Sequence, residues 1–370
     1  MKKVILMSLQ NVWIGNSPAR YQLLEKLEDR GFETYVFVNG HLKQKEKFPF
    51  VHHVVNISGM RNKDIRKKIK DISPQVVIAS TREDVSGIFL LPWNMKKTAF
   101  YYYNLEIYTS YVSAEIKRNN RGIYWLEKMA YPYNKMKEIL FTKKIKAFTI
   151  QDGMRKKVSK KFYICHNKTI LIPNSYIFDK DKIDGSVGKG VVFTGGIARW
   201  GLSDQLYRLE FVKKTPVTFA GRIDSYYWKQ IAKLKQTNPN LAFIEQQLLP
   251  EQYTDYIRQF AVGFVWYDPP KDDANNCYMG LASGKMFKYL SLGKPIIAMN
   301  CFGLSHEIRK YNLGVVIDDI SQLDDAYIKI MEKYAFYQEN VIRVYKNRYD
   351  FNKTIKPFLD CMEKDIEGLR

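Results

Sequence analysis

The chain of 370 residues is 46% hydrophobic and 26% charged, proportions that exclude a disordered polymer, and its length favours two domains of roughly 150 to 200 residues. Its formal charge of +21 is uneven: residues 1–185 carry 34 Lys and Arg against 17 Asp and Glu, whereas residues 186–370 carry 25 against 21. A basic first half attracts phosphate, whether of nucleic acid, anionic lipid or a pyrophosphate-linked substrate, and charge alone does not choose among them.

Met1-Lys2-Lys3 leads into only about five apolar residues, too few for the core of a signal peptide, and no stretch approaches the ~20 apolar residues of a membrane span. Cys165, Cys277, Cys301 and Cys361 show neither CxxC pairing nor disulfide density. A cytoplasmic protein is the expectation.

Lys3–Ser8 reads as a buried strand, Tyr21–Arg30 as a helix ended by Gly31, and Thr34–Val38 as the next strand. The alternation continues with a basic helix near Asp64–Lys70 and strands at Val76–Ser80 and Ala99–Tyr103. A long amphipathic region, Ile123–Lys144, precedes the strands Ala147–Asp152 and Ile170–Ser175. Strand-helix-strand alternation predicts a parallel α/β sheet. Phe178–Gly190 is polar and glycine-bearing, as an interdomain linker would be. The pattern restarts with strands at Val191–Gly196, Val217–Gly221, Leu241–Glu245, Val262–Tyr267, Pro295–Met299 and Val315–Asp318, with a helix expected near Ser203–Val212. A largely helical tail from Leu323 is long enough to return to the first domain.

Two such domains facing across a cleft would place ligands at the carboxyl ends of their strands. The helix starting at Ser283 is the element that could hold phosphate there: Ser283 can cap it, Gly284 lets a ligand approach the backbone, and Lys285 adds a positive charge. An ordinary capped core helix is the plainer alternative.

The run from Asn276 to Glu307 resembles the donor signature of retaining GT-B glycosyltransferases, family-4-like enzymes of bacterial polysaccharide and glycan assembly. Their pattern is N-x-Y, then P-x-K-x-F-E-Y, then G-K-P-V-I; Asn276 and Tyr278 match the first part, Lys285, Phe287 and Tyr289 the second, and Gly293, Lys294, Pro295, Ile296 and Ile297 the third. Ile172–Ser175 (IPNS), Val192–Asp204 (VFTGGIARWGLSD), Tyr102–Tyr108 (YYNLEIY) and Thr149–Arg155 (TIQDGMR) are similar to further segments of such enzymes.

This resemblance implies an α/β GT-B fold. Residues 1–180 would form an acceptor-binding Rossmann-like domain, residues 190–345 a nucleotide-sugar-binding one, and residues 346–370 a C-terminal helix crossing back to the first. It implies a metal-independent hexosyltransferase-like enzyme with no cofactor, acting with retention. The donor would be a nucleotide-diphosphate sugar, a UDP-sugar foremost, and the acceptor a glycan or lipid-linked molecule in cell-surface assembly. Carried over residue by residue, Gly15, Asn16, Gly195, Gly196, Arg222, Gln247, Leu248, Asn276, Tyr278, Ser283, Gly284 and Lys288 would bind the donor. Glu106, Arg199 and Lys285 would carry the catalytic charges, Glu106 on the acceptor side.

The pattern also departs from the family. The two glutamates of its E-x7-E motif correspond to Gly280 and Lys288, and an ammonium has no acceptor to offer ribose hydroxyls. A catalytically degenerate GT-B scaffold serving as a partner subunit is therefore the alternative. Between Tyr108 and Lys144, basic residues alternate with interfacial aromatics such as Tyr124, Trp125, Tyr131 and Tyr133, which fits either an anionic membrane surface or a solvated basic helix pair. No nucleic-acid module is recognisable, no G-x-G-x-x-G follows the first strand of either half, and no His/Cys/Asp cluster has metal-ligand spacing.

Overall fold

The structure is a computed structural model. It describes residues 2–7, 18–40, 48–80, 95, 97–107, 122, 125–126, 129, 132–133, 136, 143–162, 168–183, 185, 187–197, 205–244, 250–267 and 274–368. The chain divides into two compact units, Met1–Pro173 with Asn352–Arg370, and Asn174–Phe351. Each is a parallel-sheet α/β domain of Rossmann type.

The first unit contains β1 (Lys2–Met7), β2 (Phe32–Val38), β3 (His53–Asn56), β4 (Val76–Ala79), β5 (Ala99–Tyr103), β6 (Ile145–Ile150) and β7 (Thr169–Leu171), in the order β3-β2-β1-β4-β5-β6-β7. Every neighbouring pair is parallel; β1 and β2 run in register from Lys2 against Phe32 to Met7 against Phe37. Val4, Ile5, Leu6, Val76, Val77 and Ile78 are buried, because a sheet carrying helices on both faces leaves neither side to water. Helix α1 (Pro18–Asp29) covers it with Leu23, Leu24 and Leu27, and ends at Gly31, whose φ of +74° is the left-handed region that glycine enters at little cost. Helices α2 (Asn62–Ile72) and α3 (Gly153–Phe162) follow β3 and β6.

Edge strand β3 escaped the sequence pattern. His53 and Asn56 are exposed and Val54 and Val55 only half-buried, so HVVN lacks the apolar run of a central strand.

The second unit holds β8 (Val191–Thr194), β9 (Val217–Ala220), β10 (Leu241–Ile244), β11 (Val262–Val265), β12 (Ile296–Met299) and β13 (Gly314–Ile317), in the order β10-β9-β8-β11-β12-β13. These are the six strands expected, all paired in parallel. Around them lie α4 (Trp228–Thr237), α5 (Pro250–Arg258), α6 (Ala274–Cys277), α7 (Gly284–Leu290), α8 (Leu304–Tyr311), α9 (Leu323–Glu332) and α10 (Tyr334–Val344). One face of the sheet packs around Phe193, Phe219, Phe264 and Trp266, the other around Met286, Phe287, Tyr289, Tyr345 and Tyr349.

Two sequence expectations change. The helix near Ser203–Val212 is a 3₁₀ segment, Leu206–Phe211, because Asn238 donates its side-chain amide to the carbonyls of Leu209 (3.1 Å) and Val212 (2.6 Å) and satisfies the end of that short turn. The polar stretch Phe178–Gly190 is bonded into the second unit: Phe178 N donates to Asp350 (3.0 Å), Lys189 N to the Gln259 carbonyl (3.0 Å) and Gly190 N to the Tyr327 hydroxyl (3.1 Å). Its backbone is thus tied into the second unit, and the division between units falls earlier, after Pro173.

Helix α11 (Phe351–Glu367) carries the chain's end onto the first unit. Phe358 packs against Tyr101 and Tyr103 at ring separations of 5.5 and 5.7 Å, and Arg30 pairs with Asp360 (3.3 Å) and Glu363 (2.5 Å). Among the described residues no helix is long and apolar enough to cross a membrane.

Candidate functional site

The charged centre of the second unit is built where β8 ends. Beyond Thr194 the chain turns at Gly195, with φ +134°, and beside it β9 turns at Gly221, with φ +152°. A Cβ on Gly221 would come within 2.3 Å of the Gly195 carbonyl oxygen, so both turns require glycine. Their parallel pairing persists past the sheet: Gly195 N donates to the Ala220 carbonyl (3.0 Å) and Ile197 N to that of Arg222 (2.9 Å).

Helix α7 presses onto this corner. Tyr289 lies on β11 at Gly263, where a Cβ would sit 2.2 Å from the ring, and its hydroxyl accepts from Thr194 N (2.7 Å) and pairs with Thr194 Oγ1 (3.0 Å). One turn earlier on the same face, Lys285 sends its ammonium 4.3 Å from the Phe193 ring centroid and 4.8 Å from that of Tyr267. Lys285 Nζ is buried and has no hydrogen-bond partner among the described residues. Burial lowers its pKa from 10.5 to about 7.

The front of α7 is anchored from two directions. Ser283 is fully buried; its Oγ accepts from Met286 N (3.2 Å) and shares a hydrogen bond with the Tyr267 hydroxyl (2.8 Å). Asn174 N donates to the Leu281 carbonyl (2.9 Å) and its side chain to that of Ala282 (3.2 Å), which brings its Nδ2 3.4 Å from where a Gly284 Cβ would lie. IPNS thus supports the helix tip. Lys294 of the Gly-Lys-Pro stop is buried and donates to the Arg258 carbonyl at the end of α5 (3.0 Å).

The structure brings Gly195, Gly196, Ser283, Gly284 and Lys285 into one corner. Arg222 is exposed on the neighbouring turn. Asn276 and Tyr278 are half-buried in and after α6, with the Tyr278 ring 6.1 Å from that of Phe302. Lys288 is not solvated: its Nζ lies 3.9 Å from the Tyr253 ring centroid, and burial lowers its pKa to about 8. Gly280, at the other departure from the glutamate pair, is buried with φ +44°, a backbone setting unsuited to glutamate. Glu307 accepts from the Tyr349 hydroxyl and lies 3.6 Å from Arg348 Nε.

In the first unit, Glu106 is exposed just past β5. Its loop is held from below: Gln151 Nε2 donates to the Asn104 carbonyl (2.8 Å), and buried Arg155 donates to Gln151 Oε1 (2.7 Å) and the Leu105 carbonyl (3.4 Å). Gly15, Asn16, Arg199, Gln247 and Leu248 lie outside the described residues. Among the described residues no group of three His, Cys, Asp or Glu side chains could hold a metal ion.

The sequence reading missed the ring pair Phe193 and Tyr267 that brackets Lys285, and the Tyr289–Thr194 link. The four-residue spacing of Lys285 and Tyr289 was the available signal; the two rings could be placed only by folding.

Residues 197–349 match the family described as "Glucosyltransferase 3-like, C-terminal domain". No curated protein sequence matches the chain. Among solved structures it is similar to a glycosyltransferase from Rickettsia africae (TM-score 0.70, 13% identity, 99% of this chain and 98% of that one). It is similar too to Anabaena HepE in complex with UDP and glucose (0.68, 10%, 98% and 100%), and to sucrose-phosphate synthase from Thermosynechococcus elongatus (0.66, 12%, 100% of both). The chain has the two Rossmann-like domains and C-terminal helix of GT-B glycosyltransferase structures.

Proposed function

We propose that this protein is a retaining glycosyltransferase that moves a sugar from a UDP-sugar to a glycan or lipid-linked acceptor, without a metal, in the cytoplasmic assembly of a cell-surface glycan. The observation that carries this reading is Lys285: a buried ammonium with no hydrogen-bond partner among the described residues, packed against the glycine turn that ends β8. A charge in that state raises the free energy of the empty protein and is relieved by an anion. A diphosphate supplies that anion.

As the sugar–phosphate bond breaks, negative charge develops on the departing diphosphate. Lys285 and the amide of Gly196 neutralise it in a site largely closed to water, with Arg199 adding a second cation. Lys288, Asn276, Tyr278, Arg222, Gln247 and Leu248 would contact the nucleoside side of the donor, and Gly15 and Asn16 the sugar. Glu106 would orient the acceptor hydroxyl, its loop steadied by Arg155 and Gln151. The HepE structures with UDP and with UDP-glucose and the glucosyltransferase-like match to residues 197–349 support the donor class. Lys285 also weighs against a degenerate scaffold, since a scaffold has no use for an uncompensated buried charge.

The basic first domain would meet an anionic membrane. Trp125, Leu126, Met129, Tyr133 and Met136 support this, each more than half exposed and spaced along one helical face within the basic stretch. Incubation with a panel of nucleotide sugars, read as nucleotide release, tests the transferase; no release and no nucleotide binding across the panel would refute it. Sedimentation with vesicles tests the surface: binding should require anionic lipid and weaken with salt.

A further inference from the structure

Arg20 is a second buried cation that the donor site does not use. It lies in the first turn of α1, a helix of 12 residues with no acidic side chain in that turn. The residue is only 8% exposed, its Nε is buried without a hydrogen-bond partner, and its guanidinium forms no ion pair among the described residues. A guanidinium offers its donors in a planar fork that matches the oxygens of a phosphate.

Its position is informative. Helix α1 connects the carboxyl end of β1 to the amino end of the parallel strand β2, so its first turn stands at the carboxyl edge of the sheet, and side chains lean toward the N-terminus of their helix. Arg20 is therefore placed at that edge. There the strand order reverses between β1 and β4, and Ser80, directly after β4, donates to the Met7 carbonyl at the end of β1 (3.0 Å). In open α/β sheets the carboxyl edge at such a reversal is where ligands bind.

We infer that Arg20, with the first-turn amides of α1, forms an anion site in the first domain for a phosphate-class oxyanion, held bidentately by the guanidinium fork. The inference rests on the transferase reading and deepens it: one substrate places a phosphate against the first domain. That phosphate comes from the nucleotide donor or from a pyrophosphate-bearing acceptor.

The test is calorimetry on the full chain with inorganic pyrophosphate, UDP and farnesyl pyrophosphate, comparing wild type, Arg20→Met, Lys285→Met and the double variant. In the Lys285→Met background, Arg20→Met should weaken inorganic pyrophosphate at least about tenfold. A matching loss for UDP assigns the site to the donor, and one for farnesyl pyrophosphate to the acceptor. Free of anions, Arg20→Met should melt no lower than wild type, because it removes an uncompensated charge. Unchanged affinity for all three probes overturns the site, as does a melting temperature lowered as by a core truncation. Should Arg20→Met fail to fold, Arg20→Lys must weaken pyrophosphate several-fold, and unaltered binding overturns the proposal. Failure of the transferase reading looks different: UDP binding and nucleotide release are absent from wild type while the Arg20-dependent pyrophosphate site remains.

Discussion

Lys285 fills the space that a side chain on Gly195 would need: a Cβ at Gly195 would lie 2.6 Å from Lys285 Cε and 3.1 Å from its Nζ. The glycine and the lysine therefore form one device. The turn at the end of β8 has no side chain because α7 delivers a cation into that space.

Gly195→Ala should disable it twice over. The φ of +134° disfavours any Cβ, and the methyl would push the ammonium aside. We expect a loss of about 1–3 kcal/mol in denaturant unfolding together with weakened UDP binding. Lys285→Met is the contrasting change, with binding lost and stability unchanged or raised.

The depressed pKa of Lys285 makes both stability and affinity depend on pH. Below about 7 the ammonium is charged in the folded and unfolded chains, and its full burial penalty is present. Between about 7 and its ordinary value of 10.5 the unfolded chain binds more protons, so this group raises stability as pH rises. Diphosphate binding retains the proton, so UDP affinity should fall above pH ~7, by up to tenfold per unit. Calorimetry from pH 7 to 9.5 in buffers of different ionisation enthalpy should show proton uptake that Lys285→Met abolishes.

Tyr289→Phe keeps the ring on Gly263 and removes only the hydroxyl. Thr194 N would then be left buried without its acceptor at 2.7 Å. The expected cost is about 1–3 kcal/mol, read from the midpoint of denaturant unfolding at unchanged slope.

For Glu106→Gln, turnover should drop by about 10²- to 10⁴-fold if the carboxylate takes the acceptor proton, while UDP affinity stays at the wild-type value. Steady-state rates beside a UDP titration check it. Equal losses in both would place Glu106 elsewhere.

Much of the second domain was legible in sequence because its central strands are short apolar runs, as in VVFT, VGFV and IIAM, between punctuating glycines and polar loops. β3 was not, since an edge strand needs only a half-buried pattern and shares that look with a loop. Ser283, Gly284 and Lys285 could be read because a helix start is written in adjacent residues. What surrounds Lys285 could not, because Phe193 comes from β8 and Tyr267 from the segment just past β11. Lys288 illustrates the same limit: its place on α7 follows from spacing, but the Tyr253 ring beneath its ammonium arrives from α5. Phe178–Gly190 looked like a linker because its polar residues gave no sign that its backbone is bonded to Asp350, Gln259 and Tyr327.

The central claim is that the buried ammonium of Lys285 waits for a diphosphate. Titration of UDP into wild type and Lys285→Met at pH 7 tests it most directly. Saturable binding to wild type, weakened at least about tenfold in a variant that remains folded, is the predicted result. Equal affinity in the two proteins would contradict it.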